Sequence, residues 1–314
     1  MEIASQPNEI TTDLDKGACV TIGNFDGVHM GHQKLISRAV SKAKSLGLKS
    51  VVVSFSPHPL RVLVGPHTPP FITVKQRKIE LIEKLGVDLV LLINFTHELA
   101  GLEPEEFVRR YLVEWLNTKD LIVGYDYSFG KNRKGNFQML RTLGREYGFN
   151  VERLDPVIMD GAIVSSTRIR DMIKCGDVWG VRPLLGRFYV VSGRVVRGKD
   201  RGGRLLGFPT ANLRIENELH PEKGVYAIWT EIQGEKYQGV ANIGYNPTFG
   251  NKDMSVEAHI LDFDRDIYDQ NIKLHYVQKI RSEKKFSGLE ELIARIKEDV
   301  SLARIILASP EAQP

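Results

Sequence analysis

Apolar runs alternate with segments of helical period from the N-terminus to about residue 185. The segment Gly31–Leu46 places apolar side chains at positions i, i+4 and i+8, which is the register of an amphipathic helix. Four short apolar runs are predicted to be strands: Ala18–Ile22, Ser50–Phe55, Val87–Ile93 and Leu121–Val123. Because strands that alternate with helices form parallel sheets covered by helices, this half is predicted to be an α/β domain.

Two more helices are predicted in this half. Thr73 and Gln76 resemble a capping box at the start of one helix, and Pro104 suits the first turn of the other. Their aromatic and aliphatic stripes are predicted to be core: Ile79, Ile82, Leu85, Phe107, Val108, Tyr111, Leu112 and Trp115.

From about Arg187 the pattern changes to β-branched and aromatic runs separated by glycine and proline. The runs are FYVVSGRVV, GVYAIWTEI, YQGVANIG, SVEAHILDF and IKLHYVQKI. Several short strands with regular turn signals favour a small barrel or a sandwich. One amphipathic helix, Leu289–Ile306, is predicted to close the chain. We therefore expect two domains, 1–185 and 186–314.

The composition is that of an ordinary globular protein, with 314 residues, 42% hydrophobic and 26% charged. The formal net charge of +4 suits a protein that handles polyanionic small molecules as well as one that binds nucleic acid. No signal-peptide pattern or long apolar run is seen, so a cytoplasmic location is expected. Cys19 and Cys175 lack metal-ligand spacing and are predicted to be structural thiols in a reducing compartment.

The segment GNFDGVHMGH, Gly23–His32, joins a predicted strand to a predicted helix. His29 and His32 are three positions apart at the helix N-terminus, so both imidazoles can face one ligand. Backbone N–H groups and the helix dipole make this end an anion site, and glycines at 23, 27 and 31 allow close approach of a triphosphate. A zinc pair or ordinary loop histidines are the alternatives, but no third zinc ligand follows at usable spacing.

GNFDGVHMGHQKL resembles the HxGH nucleotidyltransferase signature as it occurs in prokaryotic bifunctional riboflavin kinase/FAD synthetases. Further matches follow in order: SFSPHP at 54–59, VGYDYSFGKNRKGN at 123–136 and VSSTRIR at 164–170. The resemblance implies a Rossmann-like parallel-sheet domain that joins FMN to the adenylyl group of ATP and releases pyrophosphate. It also implies direct attack of the flavin phosphate on the α-phosphorus, without a covalent enzyme nucleophile.

The resemblance implies roles for individual residues. His29 and His32 would contact the ATP phosphates, and Asn24 and Asp26 would shape the turn. The predicted ATP and phosphate contacts of this domain also include Gly23, Gly31, Ser165, Ser166, Thr167 and Arg170. A seryl side chain at 165 or 166 can cap a helix, and Arg170 offers a planar donor fork to phosphate. The alternative for this segment is a capped helix with solvated arginines.

Two more features of the first half have predicted contacts with substrate. Asp126 and Phe129 lie in the stretch that the family places near flavin and nucleotide. The basic run Lys131–Lys134 is either solvated surface or a contact for substrate phosphate, and we expect its loop to be mobile.

The second half holds a pattern that imitates a P-loop. Residues Gly193–Lys199 satisfy GxxxxGK, but Asp200 stands where a P-loop needs Ser or Thr, and no helix follows. The longer stretch GRVVRGKDRGGRLLGFPTANL resembles the riboflavin-kinase signature instead. This resemblance implies a β-barrel domain that phosphorylates riboflavin.

The kinase residues follow from that match. Gly198, Gly203 and Gly207 would let the backbone wrap phosphates, and Thr210 with Asn212 offers hard oxygen ligands for Mg²⁺. Glu257 matches the family's base for the riboflavin hydroxyl; the alternative is a solvent-facing glutamate on an alternating strand. Arg281 and Phe286 extend the match. Asp269 departs from it, since a glycine is expected after Tyr268, and we expect a local effect on one turn.

The sequence therefore predicts a bifunctional flavin-nucleotide enzyme that uses ATP, Mg²⁺, riboflavin, FMN and FAD. Alternatives are loss of one activity, a different phosphate substrate such as a cytidylyl acceptor, a flavin-storage protein, or an RNA-binding protein related to class I aminoacyl-tRNA synthetases. The RNA-binding hypothesis is disfavoured because the sequence shows no anticodon-binding domain and no basic aromatic surface pattern. We expect no nucleic-acid or membrane partner, and weak homo-oligomer formation is compatible with the sequence.

Overall fold

The computed structural model describes residues 1–197, 207–245 and 254–314. These residues form two compact units, Met1–Ser165 and Ser166–Pro314. The division falls about 20 residues before the predicted domain boundary, because two helices that precede the barrel group with it. The boundary at 185/186 between the two activities stays a prediction.

The first unit contains a six-stranded parallel sheet with strand order β1-β4-β3-β2-β5-β6. Its strands are β1 (Glu2–Ala4), β2 (Ala18–Ile22), β3 (Lys49–Phe55), β4 (Leu89–Ile93), β5 (Thr118–Gly124) and β6 (Asn150–Leu154). A short antiparallel hairpin joins β7 (Ile158–Met159) to β8 (Ala162–Ile163). The predicted α/β domain with a parallel sheet is confirmed.

The helices of this unit are α1 (Met30–Leu46), α2 (Pro59–Leu63), α3 (Lys75–Glu83), α4 (His97–Ala100), α5 (Pro104–Phe107) and α6 (Phe137–Tyr147). A π-helical segment, Val108–Glu114, continues α5, and short 3₁₀ turns cover Pro7–Glu9, Gly65–His67 and Lys131–Arg133. Pro104 does occupy the first turn of its helix, as predicted.

The order of the strands indicates where a ligand is expected to bind on this sheet. Strands β3 and β4 follow β2 on one side, whereas β5 and β6 lie on the other. The order of the strands reverses between β2 and β5, and ligands of open α/β sheets bind beyond the carboxyl ends of strands at such a point. The turn that follows β2 therefore leaves the sheet where a ligand site is expected.

The predicted capping box at Thr73 is wrong. Val74 is the N-cap residue of α3, and its side chain makes no capping hydrogen bond. The Thr73 hydroxyl accepts instead from the backbone N–H of Gly27, at 3.1 Å. A partner 46 residues away takes the hydroxyl that the local sequence pattern assigned to the helix.

The second unit begins with α7 (Ser166–Lys174) and α8 (Val178–Leu185) and continues into a closed antiparallel barrel with strand order β10-β13-β12-β11-β14-β9. The barrel strands are β9 (Tyr189–Val196), β10 (Ala211–Ile215), β11 (Gly224–Ile232), β12 (Glu235–Tyr245), β13 (Met254–Ile260) and β14 (Asn271–Arg281). Because the sheet is closed, this half of the chain is a barrel and not a sandwich, the two alternatives that the sequence left open.

The C-terminal helix, Leu289–Ala308, packs on the outside of this barrel. Its Ala303 and Leu307 are buried with Phe188, Val225 and Val277. A 3₁₀ turn, Pro310–Ala312, follows, and the Trp229 indole donates to the Ala312 carbonyl at 2.7 Å. The predicted amphipathic helix is thereby confirmed.

Cys19 is buried in β2, Cys175 is exposed, and both are free thiols. Within the parts of the chain that the structure describes, no helix is both long and apolar enough to cross a membrane.

Candidate active sites

The turn between β2 and α1, residues 23–29, has an unusual backbone. Phe25, Gly27 and Val28 have φ angles of 51°, 85° and 38°. Only glycine adopts this region without strain, and a β-branched residue such as valine rarely does. Both Phe25 and Val28 are almost fully buried, in a cluster with Ile36 and Val52. Burial of their side chains offsets the strain. Strained backbone conformations of this kind are concentrated at functional sites.

Asp26 anchors this turn. Its carboxylate accepts from the backbone N–H groups of Ile72 and Thr73 at 3.0 and 3.2 Å, and the residue is buried. Gly27 adds the bond to the Thr73 hydroxyl. The turn is thus tied to the segment that precedes α3.

The two histidines lie together at the start of α1. His29 is the N-cap residue, and its Nδ1 accepts from the backbone N–H of His32 at 3.4 Å. The two rings are stacked, with 3.6 Å between centroids, and the Phe25 ring lies edge-on to His32. His29 is 6% exposed. The two imidazoles therefore lie side by side at the start of α1.

The charge state of His32 follows from its surroundings. Burial lowers its pKa well below the ordinary value, and the charges of His29 and Lys78 lower it further. Its Nδ1 is buried and makes no hydrogen bond to the residues that the structure describes. A neutral imidazole with a buried, unsatisfied ring nitrogen is costly unless a ligand completes its hydrogen bonding.

Gly23 and Gly31 border the same side chains. A Cβ at Gly23 would lie 2.9 Å from the Phe25 ring, and one at Gly31 would lie 3.1 Å from His29 Cε1. Both glycines therefore leave room for the rings around the turn. Asn24, which lies between Gly23 and Phe25, is exposed.

The residues of the predicted second phosphate clamp lie where the chain passes from the first unit to the second. Ser165 ends the first unit, whereas Ser166, Thr167 and Arg170 belong to the first turns of α7 in the second. Thr167 is exposed and the other three residues are half-buried.

The two predicted site residues in the stretch after β5 differ in their exposure to solvent. Asp126 is exposed, just beyond the carboxyl end of the strand. Phe129 is 8% exposed and packs in the hydrophobic core of the unit, stacked on Tyr127 at 5.6 Å between centroids. Its backbone pairs with Gly135, where a Cβ would lie 2.6 Å from the Phe129 ring. Any contact of Phe129 with flavin would therefore use only the small exposed part of the ring.

The basic run that follows Phe129 is exposed from Lys131 to Lys134. Arg133 Nε donates to Ser128 Oγ at 2.7 Å, and Lys131 forms an ion pair with Glu103 at 3.1 Å.

Sequence reasoning missed Lys78. It lies on α3 and is only 8% exposed, and its Nζ donates to the Asn24 carbonyl at 3.2 Å and to Ser54 Oγ at 3.1 Å. Burial lowers the pKa of Lys78 to about 8, opposed by the carboxylate of Asp26. The signal in the sequence is its position beside Ile79 on the apolar side of an amphipathic helix, where a lysine is out of place.

In the barrel, the predicted base and one predicted metal ligand are cross-strand neighbours. Asn212 of β10 lies opposite Glu257 of β13, which in turn lies opposite Asn242 of β12. Opposite residues of antiparallel strands point to the same face. Glu257 is half-buried, and burial raises the pKa of its carboxyl group. Asn242, which sequence reasoning did not single out, is exposed at the end of this polar row.

The segment before β10 is attached to the same strands. His259 Nδ1 is 2.8 Å from the Pro209 carbonyl, and the Phe208 ring lies edge-on to the His259 ring. Thr210, half-buried, follows directly and leads into Asn212. The hydroxyl and amide of these two residues thus belong to one short segment, which runs into β10, the antiparallel neighbour of the strand of Glu257.

Other predicted features of this half are placed as follows. Gly207 is exposed with a φ of 74°, whereas Gly198, Gly203 and Asp200 lie outside the described residues. Asp269 has a φ of 65°, the region that favours glycine. An aspartate tolerates that conformation better than most residues, so the turn keeps the backbone geometry that the expected glycine would take.

Arg281 and Phe286 hold the end of β14. Arg281 donates from Nε and Nη2 to the Asp299 carboxylate at 2.8–3.0 Å and lies 5.6 Å from the Phe286 ring centroid. In residues 1–197, 207–245 and 254–314 there is no group of three or more His, Cys, Asp or Glu side chains that could hold a metal ion.

Two family models match the chain. The model for FAD synthetase matches residues 11–168, and the model for riboflavin kinase matches residues 185–307. A bifunctional riboflavin kinase/FMN adenylyltransferase of Pseudomonas fluorescens is 41% identical over 298 residues, which cover 95% of each chain. The enzyme of the same description from Escherichia coli strain K12 is 38% identical over 290 residues, 92% of each chain.

A solved structure is similar over the whole chain. It is described as a macrolide-efflux protein from Streptococcus pneumoniae, with a TM-score of 0.86 and 32% identity, and the match covers 96% of this chain and 98% of that one. Both units of the fold therefore occur together in a known structure.

Proposed function

The chain belongs to the bifunctional riboflavin kinase/FMN adenylyltransferase family, and from that premise we propose which residues carry each of its two activities. The enzyme phosphorylates riboflavin to FMN with ATP and then adenylylates FMN to FAD, releasing pyrophosphate. The proposal concerns two separate groups of residues, one on the turn after β2 and one on the barrel.

His29 and His32 carry adenylyl transfer by binding the ATP phosphates. The observation that supports this most directly is the stacked pair at the N-terminus of α1, with a buried His32 nitrogen that lacks a partner among the described residues. Imidazole N–H groups can donate to phosphate oxygens, and the helix end adds unpaired backbone donors. These donors meet the negative charge that develops on the leaving pyrophosphate.

The chemical step needs no covalent enzyme intermediate. An oxygen of the FMN phosphate attacks the α-phosphorus of ATP, the new P–O bond forms, and the bond to the bridging oxygen of pyrophosphate breaks. Asn24 and Asp26 shape the turn, whereas Gly23 and Gly31 leave space around it. Further phosphate contacts come from Ser165, Ser166, Thr167 and Arg170, and Asp126 and Phe129 contact flavin or nucleotide.

Glu257 carries the kinase reaction as the general base. It accepts the proton of the riboflavin hydroxyl as that oxygen attacks the γ-phosphorus of ATP, and ADP leaves. The raised pKa of its carboxyl group brings a stronger base to the hydroxyl than an exposed glutamate would supply. Gly198, Gly203 and Gly207 wrap the phosphates of this second nucleotide.

Mg²⁺ fits the segment beside Glu257. The Thr210 hydroxyl and the Asn212 amide oxygen are hard ligands of the kind that Mg²⁺ prefers, and they come from one short segment next to the base. A bound Mg²⁺ would neutralise negative charge on the phosphates of ATP. We further place the enzyme in the cytoplasm, acting on small molecules without a nucleic-acid partner and with weak homo-oligomer formation.

Two variants, each expected to lose one activity and keep the other, test whether the two reactions use separate sites. His29→Ala should lower FAD formation from FMN by about 100- to 1,000-fold, as expected for loss of a transition-state donor, and leave FMN formation unchanged. Glu257→Gln should abolish FMN formation while FAD formation from supplied FMN persists.

Exposed His67→Ala and Glu216→Gln are the matched controls, and both should retain both rates. Equal loss of both activities in either test variant would contradict separate sites. A normal kinase rate in Glu257→Gln would remove Glu257 as the base.

A further inference from the structure

Lys78 is a buried lysine among the apolar residues of α3. It is the fourth residue of α3, is 8% exposed, and shares the buried side of the helix with Ile79 and Ile82. Lys75 and Lys84, which flank it on the same segment, are exposed. Burying an ammonium group is costly unless it is paired and hydrogen-bonded, so this one requires compensating contacts.

The side-chain hydrogen bonds of Lys78 lead to the predicted adenylyl-transfer site. Its Nζ donates to the carbonyl of Asn24, in the turn that carries His29, and to Ser54 Oγ near the end of β3. Ser54 Oγ lies 3.4 Å from the same Asn24 carbonyl and donates to it. One ammonium group thus joins α3, β3 and the turn.

The turn is held at a second point by the same part of the chain. Asp26 accepts from the backbone of Ile72 and Thr73, just before α3 begins. Residues 72–78 therefore fix the turn on both sides of Phe25, which itself has the left-handed backbone described above. Relaxing one of these attachments would let the strained turn move, and His29 with it.

The charge of Lys78 also acts on the site. Asp26 attracts the ammonium group, and Lys75 opposes its charge. His29 and Lys78 both act electrostatically on His32. The ammonium group is therefore within electrostatic range of an imidazole that is proposed to bind phosphate.

We propose that Lys78 is a positioning residue for adenylyl transfer: it fixes the backbone of the turn that carries His29 and supplies a buried positive charge within range of His32. The inference rests on the proposed function of the two histidines. Lys78 acts through the turn and through His32, and need not touch ATP itself.

Lys78→Met tests the proposal, since it keeps an unbranched side chain only one heavy atom shorter and removes the charge and both hydrogen bonds. We expect the kcat of FAD formation to fall by about 10- to 100-fold, the size of effect that a small displacement of a catalytic group produces, with a smaller change in KM. The riboflavin kinase rate of the same variant should stay at the wild-type value. Lys84→Met, which changes an exposed lysine of the same segment, should keep both rates.

NMR of the imidazole resonances supplies a readout that a merely structural role would not move. In Lys78→Met the pKa of His32 should rise, because a positive charge that lowers it has been removed. If Lys78→Met fails to fold, Ser54→Ala replaces it. That variant removes one of the two acceptors and should lower the kcat of FAD formation in the same direction by a smaller factor.

An unchanged kcat in Lys78→Met overturns the inference, as does an unchanged His32 titration. Loss of both activities in a folded Lys78→Met protein also overturns it. If Lys78→Met cannot fold, a wild-type kcat of FAD formation in Ser54→Ala overturns it. The parallel His29→Ala assay separates the two proposals. Full FAD formation in His29→Ala would refute the proposed site. Loss of FAD formation in His29→Ala, with a wild-type rate of FAD formation in Lys78→Met, would refute only the role of Lys78.

Discussion

At the scale of single residues, Lys78 links stability to pH. Its pKa is lowered to about 8 from an ordinary value of 10.5, chiefly by burial. Between these two values the unfolded chain holds a proton that the folded chain has released, so folding becomes more favourable as the pH rises. The stability that Lys78 contributes is therefore present above pH 10.5 and is lost as the pH falls through about 8.

We predict a pH-dependent difference between the wild-type protein and Lys78→Met. The free energy of unfolding of the wild type, relative to that of the variant, should rise by about 2 kcal/mol between pH 7.5 and 9.5. Urea unfolding at both pH values measures it, with Lys84→Met as the control. A difference that does not change with pH would show that Lys78 has an ordinary pKa.

The same residue marks a limit of prediction from sequence. His29 and His32 could be found because their spacing at a strand-to-helix junction is local. Lys78 could not be assigned to their site, because its partners Asn24 and Ser54 are 54 and 24 residues away along the chain. The positive φ angles of Phe25 and Val28 are likewise set by tertiary packing and not by their own preferences.

At the scale of elements, a buried ion pair helps to attach the C-terminal helix to the barrel. Asp299 is 2% exposed and accepts from Arg281 at the end of β14, and Arg295 of the same helix contacts it at 3.3 Å. Removing one partner of a buried pair leaves the other charge without compensation.

Asp299→Ala should therefore lower the free energy of unfolding of the barrel unit by about 3 kcal/mol. Glu298→Ala, which removes an exposed neighbour that also pairs with Arg295, should change it by less than about 1 kcal/mol. Urea unfolding followed by circular dichroism measures both. Equal effects of the two variants would show that the Arg281 pair does not secure the helix.

Most elements could be predicted where apolar periodicity is strong. The strand Ala18–Ile22 has the predicted bounds, and α1 begins one residue earlier than predicted. The strands β1, β6 and β10 were not predicted, because they are short or carry few apolar residues. The capping box at Thr73 failed for a related reason: tertiary contacts, which a local pattern does not contain, decided the partner of the hydroxyl.

At the scale of the whole molecule, two activities share one chain. The change from alternating strands and helices to β-rich sequence marks the start of the barrel correctly. It does not assign α7 and α8, which group by contacts with the barrel although their pattern resembles the α/β half. Helices carry the same periodicity whichever sheet they accompany, so sequence alone cannot decide this point.

The most direct measurement of the two-activity account is product analysis on the intact enzyme. Riboflavin and Mg-ATP are incubated with the protein, and flavins and pyrophosphate are quantified over time. The account predicts that FMN forms first, that FAD follows at the expense of FMN, and that one pyrophosphate appears for each FAD. FMN that accumulates without FAD, or riboflavin that stays unconverted, would contradict it.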